Sequence, residues 1–416
     1  MKRYIAAGLT AVLLCGMCVP AYAADAQADT EEQTESEEQT GPVKLSFDAL
    51  EQTVREKNIS IKAYESTIKS AEETDVGDNY ITNYIELSNQ INSYQSQIRE
   101  LESALDGVTD STLQASLQAQ INILQSQLNA VLAQYDDLDD DEDDAEEDQE
   151  KTVISTRREM ENAADQVCVA AEDTYISLQT LQYSINETAR SLAQMDRNIA
   201  VTEKQVSLGM TGKNTLKSLQ SQRESLLSSQ QSLNTQLENL TNTLALQCGY
   251  ALGTELETEA LPAVTQEQLD ALDYEADLQE ALDNSYSIWS KENTMENASD
   301  DYADGVTDNL YAYDAAKIDR DAEIENVTAS FRQLYKDIQE KQAALTAAQA
   351  NLEQAQKTYD VQELQYRLGI ISQMEYINAQ DTLASAEESA ASAEIDLFTS
   401  YQTYQWAKRG VMSSAA

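Results

Sequence analysis

The chain has 416 residues, with 27 Lys and Arg against 74 Asp and Glu, for a formal charge of −47. A charge of that sign and size, with no basic patch, opposes binding to nucleic acid or to an anionic lipid surface. There is no histidine. That excludes Ser-His-Asp and Cys-His nucleophile systems and any metal site that needs imidazole.

Residues 1–23, MKRYIAAGLTAVLLCGMCVPAYA, read as a signal peptide. Lys2 and Arg3 precede a short apolar run, and Ala21 and Ala23 provide the small-x-small cleavage pattern. Cleavage there leaves a chain of charge −49 with two of the four cysteines, and predicts export. No later stretch reaches the ~20 apolar residues of a membrane helix. Residues 24–42, acidic and aperiodic, read as a disordered tether. With only three prolines and twelve glycines, the rest predicts long uninterrupted helices, an all-α fold with β-strands absent or minimal.

Residues 43–80 predict a first helix, with Leu45, Phe47, Leu50, Val54 and Ile61 at helical spacing and Ser46 as its N-cap. From 81 to 135 the apolar residues step by three and four. Tyr84, Leu87, Ile91, Tyr94, Ile98, Leu101 and Leu105 form one seam, and Leu117, Ile121, Leu124, Leu128, Val131 and Tyr135 a second, joined at DGVTDS (106–111). Two seams of about equal length, joined by a short turn, predict an antiparallel coiled-coil hairpin. Residues 136–150, DDLDDDEDDAEEDQE, read as a solvated acidic linker. A cation site is the alternative there, although the run lacks the glycine and the ligand spacing of an EF-hand loop.

Residues 151–250 predict a long helical hairpin that reverses at Leu208-Gly209-Met210, with Thr211 or Asn214 to cap the returning helix. A linker covers 251–270. Residues 271–408 repeat the plan: Leu278 aligns with Leu50, Leu282 with Val54 and Trp289 with Ile61. A second long hairpin reverses at Leu368-Gly369-Ile370, and 409–416 form a tail. At this second turn Ser372 and Glu375 have the spacing of a capping box. From the repeat start to the turn glycine is longer in the first half, so the 81–135 hairpin reads as an insertion. Cys168 and Cys248 fall on opposite arms of the first hairpin, about five residues out of register; a disulfide there needs local adjustment, and two buried thiols are the alternative.

A glycine at each reversal supplies a positive φ. Met210, Ile370 and Ile371 are apolar where an exposed turn is ordinarily polar, which marks the tips as a docking surface. The unit YxLGxxSxxExxxAQ, read at Tyr366–Gln380 and again more loosely around Leu208-Gly209, resembles the TolC family of outer membrane efflux proteins. So does the LSFDALEQTVREKN type of entry into each repeat. The resemblance spans most of 43–250 and 265–410, outside the inserted hairpin.

The resemblance implies a homotrimer in which each chain gives two helical hairpins to an α-barrel conduit in the cell envelope or at the cell surface. It also implies an adaptor (membrane fusion) protein and an inner-membrane pump of ABC type as partners, with no cofactor and no catalytic or metal site. The adaptor-docking tips would be Leu208, Gly209, Met210 and Gly212 in the first turn, and Leu368, Gly369, Ile370, Ser372 and Glu375 in the second. The first turn departs from the pattern, with Gly212 for the serine and Thr215 for the acid. A larger departure is the lack of alternating strand segments between 62 and 150 or from 290 to 312, which makes this a divergent member without recognisable barrel strands. A coiled-coil surface or wall scaffold without transport is the competing reading, and an enzyme using two of the many carboxylates is a distant third.

Overall fold

The computed structural model describes residues 42–106, 111–303 and 310–412. The expected signal peptide with Ala21 and Ala23, the tether up to Gly41, most of the 106–111 turn and the end of the tail lie outside the described residues. Among the described residues the fold is all-α, with ten α-helices and two three-residue strands.

The first strand, β1 (Val43–Leu45), pairs in parallel with β2 (Leu256–Thr258). The apolar alternation of Val43-Lys44-Leu45 thus serves a strand, not the start of a helix. The helix α1 (Leu50–Lys57) begins later, and its N-cap is Ala49 with no side-chain bond, so Ser46 does not cap it. A corner at Asn58 leads into α2 (Ile59–Glu72), where the Asn58 side chain accepts from the N–H of Ser60 and Ile61. A single 3₁₀ turn, Gly77–Asn79, then leads to α3 (Ile81–Asp106).

The helix α4 (Ser111–Ser207) is continuous over 97 residues, about 145 Å at 1.5 Å per residue. The run 136–150 is therefore helical, which corrects the linker expectation. Its acids stand almost all on exposed positions, and its few partly buried residues, including Leu138 and Ala145, continue the apolar seam, so the charges remain solvated. The insertion is a helical hairpin of α3 against the first part of α4, with Ile98, Ile121 and Val131 buried in its seam and the rings of Tyr84 and Tyr135 5.2 Å apart.

The returning arm is α5 (Lys213–Gln247). The connection holds β2 and the short α6 (Gln266–Asp270), started by a Thr265/Gln268 capping box. The second repeat follows as α7 (Tyr274–Asn284), α8 (Tyr286–Ala303), α9 (Leu310–Arg367) and α10 (Gln373–Lys408). Side by side, the long helices run in the order α5, α4, α10, α9.

Two apolar clusters hold this arrangement. The larger brings Phe47, Leu50, Val54 and Ile61 against Cys168, Tyr175 and Leu178 of α4, Leu244 of α5 with Cys248 just past its end, and Phe398 and Trp406 of α10. The smaller centres on Phe331, Ile338, Leu397 and Tyr404. Full burial of each large side chain contributes roughly 1.5–3 kcal/mol. Tyr175 also joins strands to helix, its hydroxyl lying 2.7 Å from the Glu259 carbonyl and 3.0 Å from that of Leu45.

The repeat register differs by one residue from the leucine-on-leucine alignment. Asn58 and Ser285 each sit at the corner between the two short helices of their repeat. This places Asp277 on Leu50, Ala281 on Val54 and Ile288 on Ile61, and all six are buried. Leu278 and Leu282 lie beside that line and are only half-buried. A buried aspartate breaks the hydrophobic match, and its partners explain its presence: the Tyr404 hydroxyl donates to it at 2.8 Å and Lys408 Nζ lies 2.6 Å away.

Candidate functional site: the hairpin tips and the seam between the repeats

Both long hairpins end in the same backbone device. Gly209 and Gly369 have φ of +72° and +71°. At the first tip the Gly209 N–H donates to Val206 O and the Met210 N–H to Gln205 O. At the second, Gly369 donates to Tyr366 O and Ile370 to Gln365 O. These are the paired bonds of a Schellman motif, which satisfies the last carbonyls of the outgoing helix.

The returning helices start differently. At the second tip the capping box is present: Glu375 N–H donates to Ser372 Oγ at 3.2 Å, and Ser372 N–H donates to Glu375 Oε2 at 2.8 Å. Those bonds hold the Glu375 carboxyl below its ordinary range. At the first tip the N-cap is Gly212, with no side-chain bond, so neither Thr211 nor Asn214 caps α5.

The apolar tip residues are open to solvent. Leu208, Met210, Leu368 and Ile370 are each between 66% and 74% exposed, while Thr211 and Ile371 are half-buried. Just behind the second tip Tyr366 stacks on Tyr376 at 4.6 Å, and the Tyr376 and Tyr359 hydroxyls are 2.9 Å apart. The corresponding residues of the first tip, 160 positions earlier, are Val206, Leu216 and Ile199. The second tip is thus pinned by an aromatic clasp where the first has aliphatic residues.

The seam between the repeats is the α4–α10 contact. Arg190 pairs with Glu388 and Arg197 with Asp381. Nearer the core the Trp406 indole N–H donates to Glu172 Oε2 at 2.8 Å. Glu172 is only 7% exposed, and burial pushes its carboxyl up to about 7 against the smaller opposing effect of the indole bond. The Arg409 guanidinium lies 3.9 Å from the Trp406 ring centre and bonds Glu51 at 2.8 Å, tying the end of α10 to α1. None of these polar links was singled out from the sequence, because each joins residues far apart in the chain.

Two further glycines were also missed. Gly249 (φ +73°) and Gly410 (φ +88°) end α5 and α10 with the same Schellman bonds. A methyl at Gly249 would lie 2.3 Å from the Lys57 carbonyl oxygen, and one at Gly410 would lie 2.2 Å from that of Asn284. Each repeat therefore seats the end of its return arm directly on its own corner. Their signal was available, since each glycine follows the last apolar residue of a long helix.

Cys168 and Cys248 are both buried in the larger cluster as free thiols, with no disulfide between them. Burial pushes them up to about 11 and about 12, which keeps them protonated and poorly nucleophilic.

No protein-family model matches the chain, and neither does any curated protein. Solved structures do. The outer-membrane channel OprN matches with a TM-score of 0.52 at 13% identity, covering 88% of this chain and 89% of that one. The outer membrane protein VceC from the bacterial pathogen Vibrio cholerae matches with a TM-score of 0.49 at 11% identity over 88% of this chain and 96% of its own. CusC, described for transmembrane channel formation, gives 0.47 at 12% identity over 93% and 99%. The chain has the fold of the outer-membrane channel OprN, and that fold bears out the resemblance to the TolC family drawn from its duplicated Leu-Gly hairpins.

Proposed function

We propose that the protein is the exit conduit of a multipartite export system, a ring of three copies whose hairpin tips dock an adaptor. The observation that carries this reading is a pair of open edges. Within the chain, α4 of the first repeat is seated on α10 of the second. The repeat images of those two faces, 160 residues away, are on α9 and α5 at opposite ends of the helix row. Glu172, Arg190 and Arg197 correspond to Arg332, Ala350 and Lys357. Asp381 and Glu388 correspond to Ser221 and Ser228. All five image residues are exposed. Joining α9 of one copy to α5 of the next repeats the internal contact, and such a head-to-tail contact closes into a ring.

The fold shared with a channel protein supports the same reading. The tips supply the docking element: four exposed apolar residues on two rigid turns, shaped by Gly212 and by the Ser372–Glu375 box. The partners are an adaptor and an inner-membrane pump, of ABC type by the family resemblance, and the chain carries no chemistry of its own. We place the conduit in the cell envelope, after export. Among the described residues no helix is long and apolar enough to cross a membrane.

Light scattering and negative-stain imaging of the chain without residues 1–23 test the ring, together with a disulfide trap pairing Ser221→Cys with Lys357→Cys. A hollow trimer, trapped between copies, is expected. A monomer or a solid two-copy rod refutes the conduit and leaves the coiled-coil scaffold.

A further inference from the structure

The inserted hairpin is unused by the conduit reading, and its chemistry is unlike that of the rest of the chain. Residues 111–135 contain no charged side chain, the longest such run in a protein of charge −47. Across the hairpin, 87–98 of α3 are uncharged as well. A two-helix coiled coil leaves most of each helix in water, and those outer positions are ordinarily Glu, Lys and Arg. Here they are Gln, Ser, Asn and Ala, together with Ile85 at 58%, Ile123 at 59% and Leu132 at 37% exposure. An open groove of about 430 Å³ lies between the helices along Gln97, Leu101, Gln120, Ile123 and Leu124, with Glu100 the one charged residue on its wall.

We propose that this uncharged part of the α3–α4 hairpin is a self-association surface, on which the same hairpin of a second copy packs. The inference rests on the ring reading. Because α4 runs unbroken from the tube wall into the hairpin, neighbouring copies bring their hairpins to the same end of the assembly.

Charge selects the occupant. Twelve of the fifteen residues 136–150 are Asp or Glu, so like copies repel strongly there and can touch only where charge is missing. A cationic partner would settle on that acidic stretch, not on the neutral one beyond it. A lipid surface would need a continuous apolar face, whereas these isoleucines are interspersed with amides. A second neutral, amide-bearing helix fits. Gln and Asn each carry donors and an acceptor and pair with their own kind, and depletion of charge is what interface cores show.

The test uses the chain without residues 1–23. The triple variant Gln120→Glu, Gln127→Glu, Gln134→Glu places one carboxylate per heptad on exposed positions of α4. In a hairpin that stays solvated it changes nothing. In a packed bundle it raises the concentration at which the assembly dissociates, by about tenfold or more, and high salt partly reverses the change. Dissociation is followed by light scattering on dilution. A variant that dissociates like the parent overturns the proposal while the ring stands; a parent that is monomeric throughout overturns both. Ile123→Cys with a flexible bismaleimide gives a second readout that adds no charge, since the native thiols are buried. Linked copies are expected, and a trimeric sample without linkage overturns the proposal.

Discussion

Alanine at Gly249 or Gly410, compared with alanine at Gly209 or Gly369, separates two uses of one backbone conformation. All four glycines have φ between +71° and +88°, so each substitution costs about 1 kcal/mol for holding a Cβ in the left-handed region. At Gly209 and Gly369 nothing lies within 4 Å of the added methyl, and that strain is the whole effect. At Gly249 the methyl meets Lys57 O at 2.3 Å and Lys57 C at 2.7 Å, roughly 1 Å inside ordinary contact. Relief requires the α1–α2 corner to retreat, which stretches the 2.7 Å bond from Asn58 Nδ2 to the Gln247 carbonyl. Overpacking of this kind adds about 1–3 kcal/mol. Gly410→Ala is expected to behave alike against Asn284, for totals of about 2–4 kcal/mol at the corners and about 1 kcal/mol at the tips. Urea unfolding followed by far-ultraviolet circular dichroism measures all four. Equal losses at Gly249 and Gly209, within about 0.5 kcal/mol, refute the seating of the return arms on the corners.

Glu172→Gln keeps an acceptor for the Trp406 indole and removes a titration. The folded carboxyl, at about 7, lies above the ordinary glutamate value of 4.5, so the native state holds its proton more tightly and stability is lost as pH rises from 4.5 through 7. The variant should match the parent at pH 4 and exceed it by up to about 3 kcal/mol at pH 8; a gap that does not vary with pH in thermal melts contradicts this. Met210→Asp with Ile370→Asp changes residues with no core contact, so unfolding should move by less than about 0.5 kcal/mol while pull-down of the cognate adaptor falls. Unimpaired capture removes the tips from the docking surface. In the chain without residues 1–23 a thiol reagent should find no reactive cysteine until denaturant is added and two afterwards, and rapid native labelling would contradict the burial of Cys168 and Cys248. Asp277→Ala leaves Tyr404 without its acceptor and should cost about 3 kcal/mol, whereas a loss below about 1 kcal/mol would show that Glu280, whose carboxylate lies 3.2 Å from Lys408 Nζ, suffices for Lys408.

What the sequence made legible was whatever repeats at short range. Heptad steps announced the helices, Leu-Gly steps announced the two reversals, and Ser372 with Glu375 announced a cap that the structure contains. Three readings failed for one shared reason, that local pattern is silent about distant partners. Val43–Leu45 became a strand because Leu256–Thr258 lies beside it. Residues 136–150 stayed helical because their acids face water on a helix nucleated by the packed segments on either side. The repeat register slipped because Asp277, satisfied by Tyr404 and Lys408, occupies a place that apolar matching gives to a leucine. For the same reason the Glu172–Trp406 and Arg–carboxylate links of the seam had no sequence signal: each joins α4 to a helix that follows it by some 180 residues or more.

A continuous α-helix does not telescope, because every turn is locked to the next by its own ladder of hydrogen bonds, and over its length it yields only by gentle bending. In α4 one such rod carries the inserted hairpin at one end, the Arg190 and Arg197 pairs along its flank and Leu208 at the other end. An axial push or a twist applied at Tyr135 therefore arrives at the Gly209 turn as displacement, not as a change in local folding. Any axial shift of α4 would have to break and remake the Arg190–Glu388 and Arg197–Asp381 pairs and the Trp406–Glu172 bond on its flank.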